Sequence, residues 1–355
     1  MSPSLMPGAW SASELRETAE LFAGAGSDSE MPPEVRFLRA VARLLVKRRT
    51  RDGALNDTDT AAVLILETRE RNDPFLEPFS LEPMLDQAMA TINGRLWLAN
   101  EKLTFGHFVE HQHSGVELFD WVVDTLGLGS RPAVIFDPTV DGGELRYYAN
   151  GLSDMGEVKA YPLGAVREVT FKQAHEVIDL VHTEHLASPH TQVVSTWKKA
   201  RSHWAANNAE ALIQSLIKVA LKSTFLFCEV DKEGNVKTGR FDLTISYVDP
   251  STRTRTCYGV LELKVLKSAG SGGATVAAAD NLAAVQDGLV QAYSYRDNLS
   301  ASWAALCCFD MRKDADATEE CFTAIAGEAN KHDVNVSRWR LYNSVKKYRE
   351  SISAS

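Results

Sequence analysis

Two carboxylates and one ammonium group have residue types and spacing that suit chemistry. Asp242 lies in residues 241–247, where apolar and polar residues alternate as in a half-buried strand. Glu262 and Lys264 lie in residues 258–266, a run that is otherwise apolar and predicts a covered, central strand. Residues two apart on a strand point to the same face, and a buried Glu and Lys need partners. We therefore predict that Asp242 and a divalent cation compensate this pair.

The order of these residues resembles a known family of enzymes. Asp242, nineteen intervening residues and then Glu262-x-Lys264 at a strand end is similar to the PD-(D/E)xK nuclease superfamily, which has the restriction-endonuclease-like fold. In that family the Asp and Glu bind Mg²⁺, and the Lys orients or activates the attacking water. The resemblance implies catalytic roles for Asp242, Glu262 and Lys264 in the hydrolysis of phosphodiester bonds, with DNA as the first expectation. The family's proline before the Asp is absent, since Arg240 and Phe241 stand there.

The residues before the first of these strands predict a helix over 196–223. On it His203, Asn207, Glu210 and Gln214 fall within an arc of about 60°. In many members of the superfamily the helix at this place supplies a further Glu to the metal, and Glu210 is similar in position. The expected metal ligands are therefore Glu210, Asp242 and Glu262, with Asn207 and Gln214 as nucleic-acid contacts. A polar stripe packed against another domain is the alternative interpretation.

A second helix is predicted over 277–298 and carries Gln291 and Tyr295 at i, i+4. The pair resembles the Gln-x-x-x-Tyr helix of the RecB-like branch of the superfamily. That resemblance implies that Gln291 orients Lys264 or the substrate as part of the catalytic group, and that Tyr295 contacts the nucleic acid strand. The predicted element order is α-β-β-β-α-β over residues 200–310, as in the family's core.

We expect an α/β protein with a poorly ordered leader (1–30), a mixed α/β N-terminal domain of unknown role (31–190) and a restriction-endonuclease-like C-terminal domain (191–355). The net charge of −9 is unevenly spread. Residues 191–355 hold 21 Lys and Arg against 18 Asp and Glu, whereas residues 1–190 hold 17 against 29. This asymmetry is compatible with nucleic acid as partner of the second half and with a protein partner of the acidic first half.

Two other groups of residues have competing interpretations. His107, His111 and His113 are placed on a predicted helix over 105–128, and His182 and His185 close a helix that a capping box starts at Thr170. Structural positions, on a solvated helix face or at a helix C-terminus, are favoured for them over metal ligation.

In the tail, Arg338 and Arg340 lie among aromatic residues. Either they contact a nucleic acid strand or they form a basic edge on a final strand.

Composition bounds the remaining expectations. No apolar run reaches the length of a membrane span and no signal peptide is visible, so we expect no membrane association. The expected localisation is cytoplasmic, or nuclear if the source is eukaryotic. The five cysteines lack C-x-x-C spacing, which favours reduced, buried thiols. The leading hypothesis is a metal-dependent nuclease, for instance a phage-defence or mobile-element effector. The alternative is an inactive nuclease-like scaffold that binds nucleic acid or a protein. The sequence leaves open whether the chain forms a homodimer.

Overall fold

A computed structural model describes residues 31–52, 59–67, 69, 73–83, 85, 91–140, 143–154, 156, 158–163, 168–192, 194–232, 235–236, 239–240, 242–249, 252, 254–313 and 319–353. The predicted leader, residues 1–30, lies outside this set. The chain forms two units: Met31–Arg167 with Asp249–Thr254, and Glu168–Val248 with Arg255–Ser355. The class is α/β, as predicted. The unit boundary follows Arg167, whereas the sequence interpretation places it after residue 190.

The first unit is built on a seven-stranded sheet of order β2-β4-β3-β1-β5-β6-β7. Only β1 and β3 are parallel. The strands are β1 Ala62–Leu66, β2 Ser80–Pro83, β3 Arg95–Ala99, β4 Phe105–Glu110, β5 Ala133–Asp137, β6 Glu144–Tyr148 and β7 Val158–Pro162, and the helices are α1 Pro33–Asp52 and α2 Gly115–Asp120. Strands β5 and β6, which follow one another in the chain, pair antiparallel.

The predicted helix over 105–128 is wrong for its first part. Residues Phe105–Glu110 pair with β3, and the rings of Phe108 and Trp97 contact each other across the two strands in a tilted arrangement, 4.7 Å between centroids. Helix α2 starts only at Gly115, whose φ of +52° glycine adopts easily, and continues as the π turn Trp121–Thr125. His107 and His111 are therefore buried on and just after a strand, and they do not lie on a solvated helix face.

The second unit is built on a five-stranded sheet of order β10-β13-β14-β15-β16. Two small two-stranded sheets, β8-β9 and β11-β12, belong to the same unit. The strands of the unit are β8 Trp197–Lys199, β9 Trp204–Ala205, β10 Glu229–Lys232, β11 Asn235–Val236, β12 Gly239–Arg240, β13 Leu243–Val248, β14 Arg255–Leu266, β15 Trp303–Asp310 and β16 Val334–Arg340. Its helices are α3 Phe171–His185, α4 Ala209–Thr224, α5 Ala278–Leu299, α6 Glu319–Lys331 and α7 Val345–Ser353. The order α4, β10, β13, β14, α5, β15 matches the predicted α-β-β-β-α-β order, with the small β11–β12 hairpin between β10 and β13.

Helices cover both faces of this sheet. Strands β10, β13 and β14 run antiparallel, while β14, β15 and β16 are parallel and are joined by the crossover helices α5 and α6. Leu266, Leu306 and Cys308 point toward these two helices and form one core with them. Residues of opposite parity, such as Trp303 and Trp339, point to the other face, where α3 packs. A sheet covered in this way explains why β14 and β15 are so apolar.

Helix α3 belongs to the second unit because that unit satisfies its polar groups. The indole N–H of Trp303 donates to the carbonyl oxygen of Val169 at 2.7 Å, and that of Trp339 donates to Asp179 Oδ1 at 2.6 Å. The capping box at Thr170 and the histidines of the last helical turn are confirmed, and His182 Nε2 lies 2.7 Å from the carbonyl oxygen of Arg340. These contacts place the boundary before α3.

Across the part of the chain that the structure describes, no helix is long and apolar enough to cross a membrane. The five cysteines are free thiols, and all but the half-buried Cys257 are buried, as predicted.

Candidate functional site

An offset between two strands creates the candidate site. Strand β13 begins at Leu243, opposite Leu261, so β14 continues beyond it. The amide N–H groups of Leu263 and Val265 point to the side that β13 leaves open. Two carboxylates accept them instead: Leu263 N donates to Asp242 Oδ2 at 2.7 Å, and Val265 N donates to Glu210 Oε2 at 3.3 Å.

Gln214 holds Asp242 from the helix side. It lies one turn after Glu210 on α4 and is 4% exposed. Its Nε2 group donates to both the carbonyl oxygen and Oδ1 of Asp242, each at 3.1 Å. Both oxygens of the Asp242 carboxylate are thus engaged, one by Gln214 and one by the backbone of β14. Gln214 is therefore placed to orient Asp242, while its contact with nucleic acid stays a prediction.

Lys264 joins the second carboxylate to α5. Its Nζ donates to Glu262 Oε1 at 2.6 Å and to Gln291 Oε1 at 3.0 Å. The side chain of Glu262 is 3% exposed and that of Lys264 is 19% exposed, so the ammonium reaches the surface while the carboxylate does not. The structure therefore brings together Glu210, Asp242, Glu262, Lys264 and Gln291, which are up to 81 positions apart in the chain.

Gly288 is a site residue that the sequence analysis missed. It faces the stem of Lys264, and a Cβ atom at this position would lie 2.9 Å from Lys264 Cε and 2.8 Å from Leu306 Cδ1. Glycine inside a helix costs about 1 kcal/mol relative to alanine. A glycine in the middle of α5 was therefore a signal that something passes close to the helix there.

The site carries more negative charge than it neutralises. Burial, followed by the charge of Asp242, raises the pKa of Glu262 to about 8, against the charge and the hydrogen bond of Lys264. Burial likewise raises the pKa of Asp242 to about 6, against the bond from Leu263 and the charge of Lys264. Clustered carboxyl groups with raised pKa values are typical of functional sites.

Lys264 is a cation at neutral pH. Burial lowers its pKa, but the charges of Glu262, Asp242 and Glu210 and the hydrogen bond to Glu262 raise it by more. The sequence analysis leaves open whether Lys264 activates the water as a base or acts as a charged donor. The direction of this shift favours the donor.

Two predicted nucleic-acid contacts lie elsewhere. Tyr295 is 2% exposed and packs on Val260, which gives it a structural position, and its contact with nucleic acid stays a prediction. Asn207 is exposed, lies in the loop before α4 and hydrogen-bonds Ser271 in the loop after β14. Its contact with nucleic acid stays a prediction.

The predicted helix over 196–223 begins only at Ala209. Its first part is the β8–β9 hairpin, in which His203 adopts a left-handed φ of +58°. Glu210 and Gln214 therefore share a helix face, whereas His203 and Asn207 do not belong to it.

The donor set suits a hard divalent cation in its chemistry. Glu210, Asp242 and Glu262 offer only carboxylate oxygens, and Glu262 Oε2 is buried without a hydrogen-bond partner among the described residues. Within the same residues, no group of three or more His, Cys, Asp and Glu side chains is arranged around one point for a metal. The residues thus fit the ion by charge and ligand type, while a closed cage is not preformed.

Comparison of the chain with models of protein families, with curated proteins and with solved structures gave no match in any of the three. A functional proposal therefore depends on the geometry of the chain's own residues.

Proposed function

We propose that the second unit is a metal-dependent nuclease of the PD-(D/E)xK type that hydrolyses phosphodiester bonds, with DNA as the first substrate to test. One observation carries the proposal. Asp242, Glu262, Lys264 and Gln291 are the residues that the sequence resemblance predicts, and they meet at one end of β14 through bonds of 2.6–3.0 Å and a shared backbone segment. Such convergence of residues from three elements is characteristic of a functional site rather than of a solvated surface.

Asp242 and Glu262 would hold the cation, with Glu210 as a third carboxylate ligand. Bound there, Mg²⁺ or Mn²⁺ polarises a phosphate oxygen and lowers the pKa of a bound water. The chain's own contribution is to orient these ligands: Gln214 and Leu263 N fix the carboxylate of Asp242 from two sides. Fixed ligands keep their geometry during the reaction, which is the basis of electrostatic catalysis.

Lys264 supplies the donor to the phosphate. An ammonium group has three N–H bonds, and Lys264 uses two of them, toward Glu262 and Gln291. The third is directed away from these partners on a side chain that is partly exposed. A donor in this position stabilises the charge that develops on a phosphate oxygen in the transition state. Gln291 acts through Lys264 and is a positioning residue.

One observation favours a second candidate, an inactive scaffold that binds nucleic acid or a protein. No preformed three-ligand metal group is found in the described part of the chain, and Lys264 already occupies one oxygen of Glu262. In a scaffold of this kind the ammonium would permanently replace the cation.

A cleavage assay with a matched control separates the two candidates. Plasmid, linear and single-stranded DNA are incubated with the full chain in Mg²⁺, in Mn²⁺ and in EDTA. We expect cation-dependent cutting that Asp242→Asn lowers by at least about a hundredfold, because a metal ligand is lost. Asp287 is an exposed aspartate on α5, and we expect the Asp287→Asn variant to cut DNA as the wild type does. No cutting of any substrate, or equal cutting by both variants, contradicts the nuclease proposal.

A further inference from the structure

A second charged cluster lies at the carboxyl end of the parallel strands. Asp310 is the last residue of β15 and is fully buried. Arg312 follows it by two positions, and Arg338 and Arg340 stand at the end of the neighbouring strand β16. Three guanidinium groups therefore surround one carboxylate.

Arg312 by itself provides one full positive charge to balance Asp310. Its Nε and Nη2 atoms donate to Oδ1 and Oδ2 of Asp310, both at 3.0 Å, which is the paired geometry that a guanidinium and a carboxylate prefer. Arg338 Nε lies 3.1 Å from Oδ2, and Arg340 Nη1 lies 3.5 Å from Oδ1. Among the described residues Asp310 is the only carboxylate that either of these two arginines contacts. The charge of Arg338 and Arg340 is therefore in excess.

Arg340 is held in place with an unused donor. Its Nη2 group donates to the carbonyl oxygens of Arg312 and Lys313, which fixes the plane of the guanidinium. Its Nη1 group is buried and has no hydrogen-bond acceptor among the residues of known placement. Burial, together with the neighbouring cations Arg338 and Arg312, lowers the pKa of Arg340 despite Asp310. A buried N–H without an acceptor is costly, and a bound anion would remove that cost.

The cluster shares a face of the sheet with the candidate catalytic site. Lys264 is paired with Cys308, and Cys308 with Arg338, across the parallel strands β14, β15 and β16. Paired residues of parallel strands point to the same face, so Lys264, Arg338 and Arg340 do so as well. Two strand spacings separate Lys264 from Arg338, on the order of 10 Å. The side chains of Arg338 and Arg340 are 28% and 18% exposed, which opens the cluster to solvent.

We propose that Arg338 and Arg340 bind a phosphate group of the nucleic acid strand that is cut beside Lys264, a few nucleotides from the scissile bond. This assignment rests on the proposed nuclease function. Phosphate is the anion that suits the cluster, since it accepts the forked N–H bonds of arginine and carries the charge that offsets the excess. The buried Asp310–Arg312 pair then acts as the rigid base on which the two binding arginines stand.

The test measures strand binding without cleavage. A fluorescein-labelled DNA strand of about 20 nucleotides, longer than the footprint of a typical single-strand binding fold, is titrated with the full chain in EDTA. Arg338→Gln and Arg340→Gln are compared with Lys331→Gln, which removes the same charge at the opposite end of β16, where the side chain is 66% exposed. We expect each arginine variant to raise Kd about tenfold, the loss of one charge-assisted contact, and to lower the slope of log K against log salt by roughly 0.7 to 0.9. Arg338→Lys, which keeps the charge and the fold but not the fork, should fall between Arg338→Gln and the wild type.

Each outcome supports or overturns the assignment. Equal binding by both glutamine variants and Lys331→Gln overturns it, with circular dichroism melting used to show that the variants are folded. If inorganic phosphate raises the melting temperature of the wild type but not of Arg338→Gln while strand affinity is unchanged, the site takes free phosphate and the strand assignment is overturned. Arginine-dependent strand binding by a chain that cuts no substrate would leave the anion site standing and contradict only the nuclease proposal.

Discussion

At the scale of single residues, the site is defined by which polar groups are paired and which are left over. Asp242 accepts hydrogen bonds from Gln214 and from the backbone N–H of Leu263. In Glu262, Oε1 accepts a hydrogen bond from Lys264, whereas Oε2 has no hydrogen-bond partner among the residues that the structure describes. Residue spacing together with the resemblance to the nuclease superfamily predicts Asp242, Glu262, Lys264 and Gln291 as one group. Neither could predict the role of Gln214, because the rotation of α4 against β13 is set by packing. Helix spacing places Tyr295 on the face of Gln291, but it could not predict that Tyr295 is buried against Val260.

A residue-scale prediction concerns pH. The raised pKa values of Glu262, about 8, and Asp242, about 6, mean that the folded chain binds protons more tightly than the unfolded chain. Their favourable contribution is complete below the unfolded pKa values near 4 and is lost as pH rises through 6 and 8. Without divalent cations, the free energy of unfolding should therefore fall between pH 5 and pH 8.

The matched variants are Glu262→Gln, which stays neutral, and Glu320→Gln, which changes an exposed residue of α6. Denaturant titrations in EDTA should show a smaller fall for Glu262→Gln only, leaving it more stable than the wild type at pH 8. If the wild type is instead more stable than Glu262→Gln at pH 8, the negative charge of Glu262 is neutralised by its protein neighbours without a cation.

At the scale of elements, the apolar strands and the helix between them were the most predictable part. Strand β14 (predicted 258–266), strand β15 (303–309) and helix α5 (277–298) lie within about three residues of their predicted bounds, because a long apolar or periodic run leaves little choice of structure. The hairpin Trp197–Ala205 was misread as helix. Its two tryptophans fit helical spacing, and only the left-handed turn at His203 reveals the reversal of the chain.

An element-scale prediction concerns the contact of α5 with β14. Gly288→Ala places a methyl group against the stem of Lys264 and against Leu306. Both neighbours are ends of flexible side chains, and alanine favours the helix by about 1 kcal/mol, so stability should change little. The ammonium should shift, however, and a displacement of about 1 Å can lower the rate about a hundredfold.

The control is Gly327→Ala on α6, where a Cβ atom meets nothing within 4 Å. Single-turnover cleavage and thermal melting of both variants are measured together. Normal cleavage by Gly288→Ala would show that the close approach to Lys264 has no functional consequence.

At the scale of the whole molecule, the chain is divided where α3 begins. Ala174, Val177, Ile178 and Val181 of this helix are buried within the second unit, and the backbone N–H of Tyr342 donates to the carbonyl oxygen of Ala187 at 2.8 Å. Sequence alone put the boundary after residue 190, since a helix between two mixed α/β regions carries no mark of the sheet on which it packs.

A fragment comparison tests this division. We expect residues 168–355 to unfold in one cooperative transition, and residues 191–355 to melt at a much lower temperature or not to fold. Exposing the four buried side chains of α3 and their partners costs roughly 5 kcal/mol or more, a large share of the stability of a small domain. Circular dichroism melting of the two fragments is the measurement, and equal melting temperatures would return the boundary to residue 190.

The most direct test of the central claim compares two lysines of the same segment. Lys264 bonds Glu262 and Gln291, whereas Lys267, three positions later, lies beyond the end of β14. Single-turnover cleavage of DNA in Mn²⁺ is measured for Lys264→Ala and Lys267→Ala under identical conditions. The account predicts that Lys264→Ala loses at least about a hundredfold in rate while Lys267→Ala stays within a few-fold of the wild type. Cleavage by Lys264→Ala at the wild-type rate would contradict it.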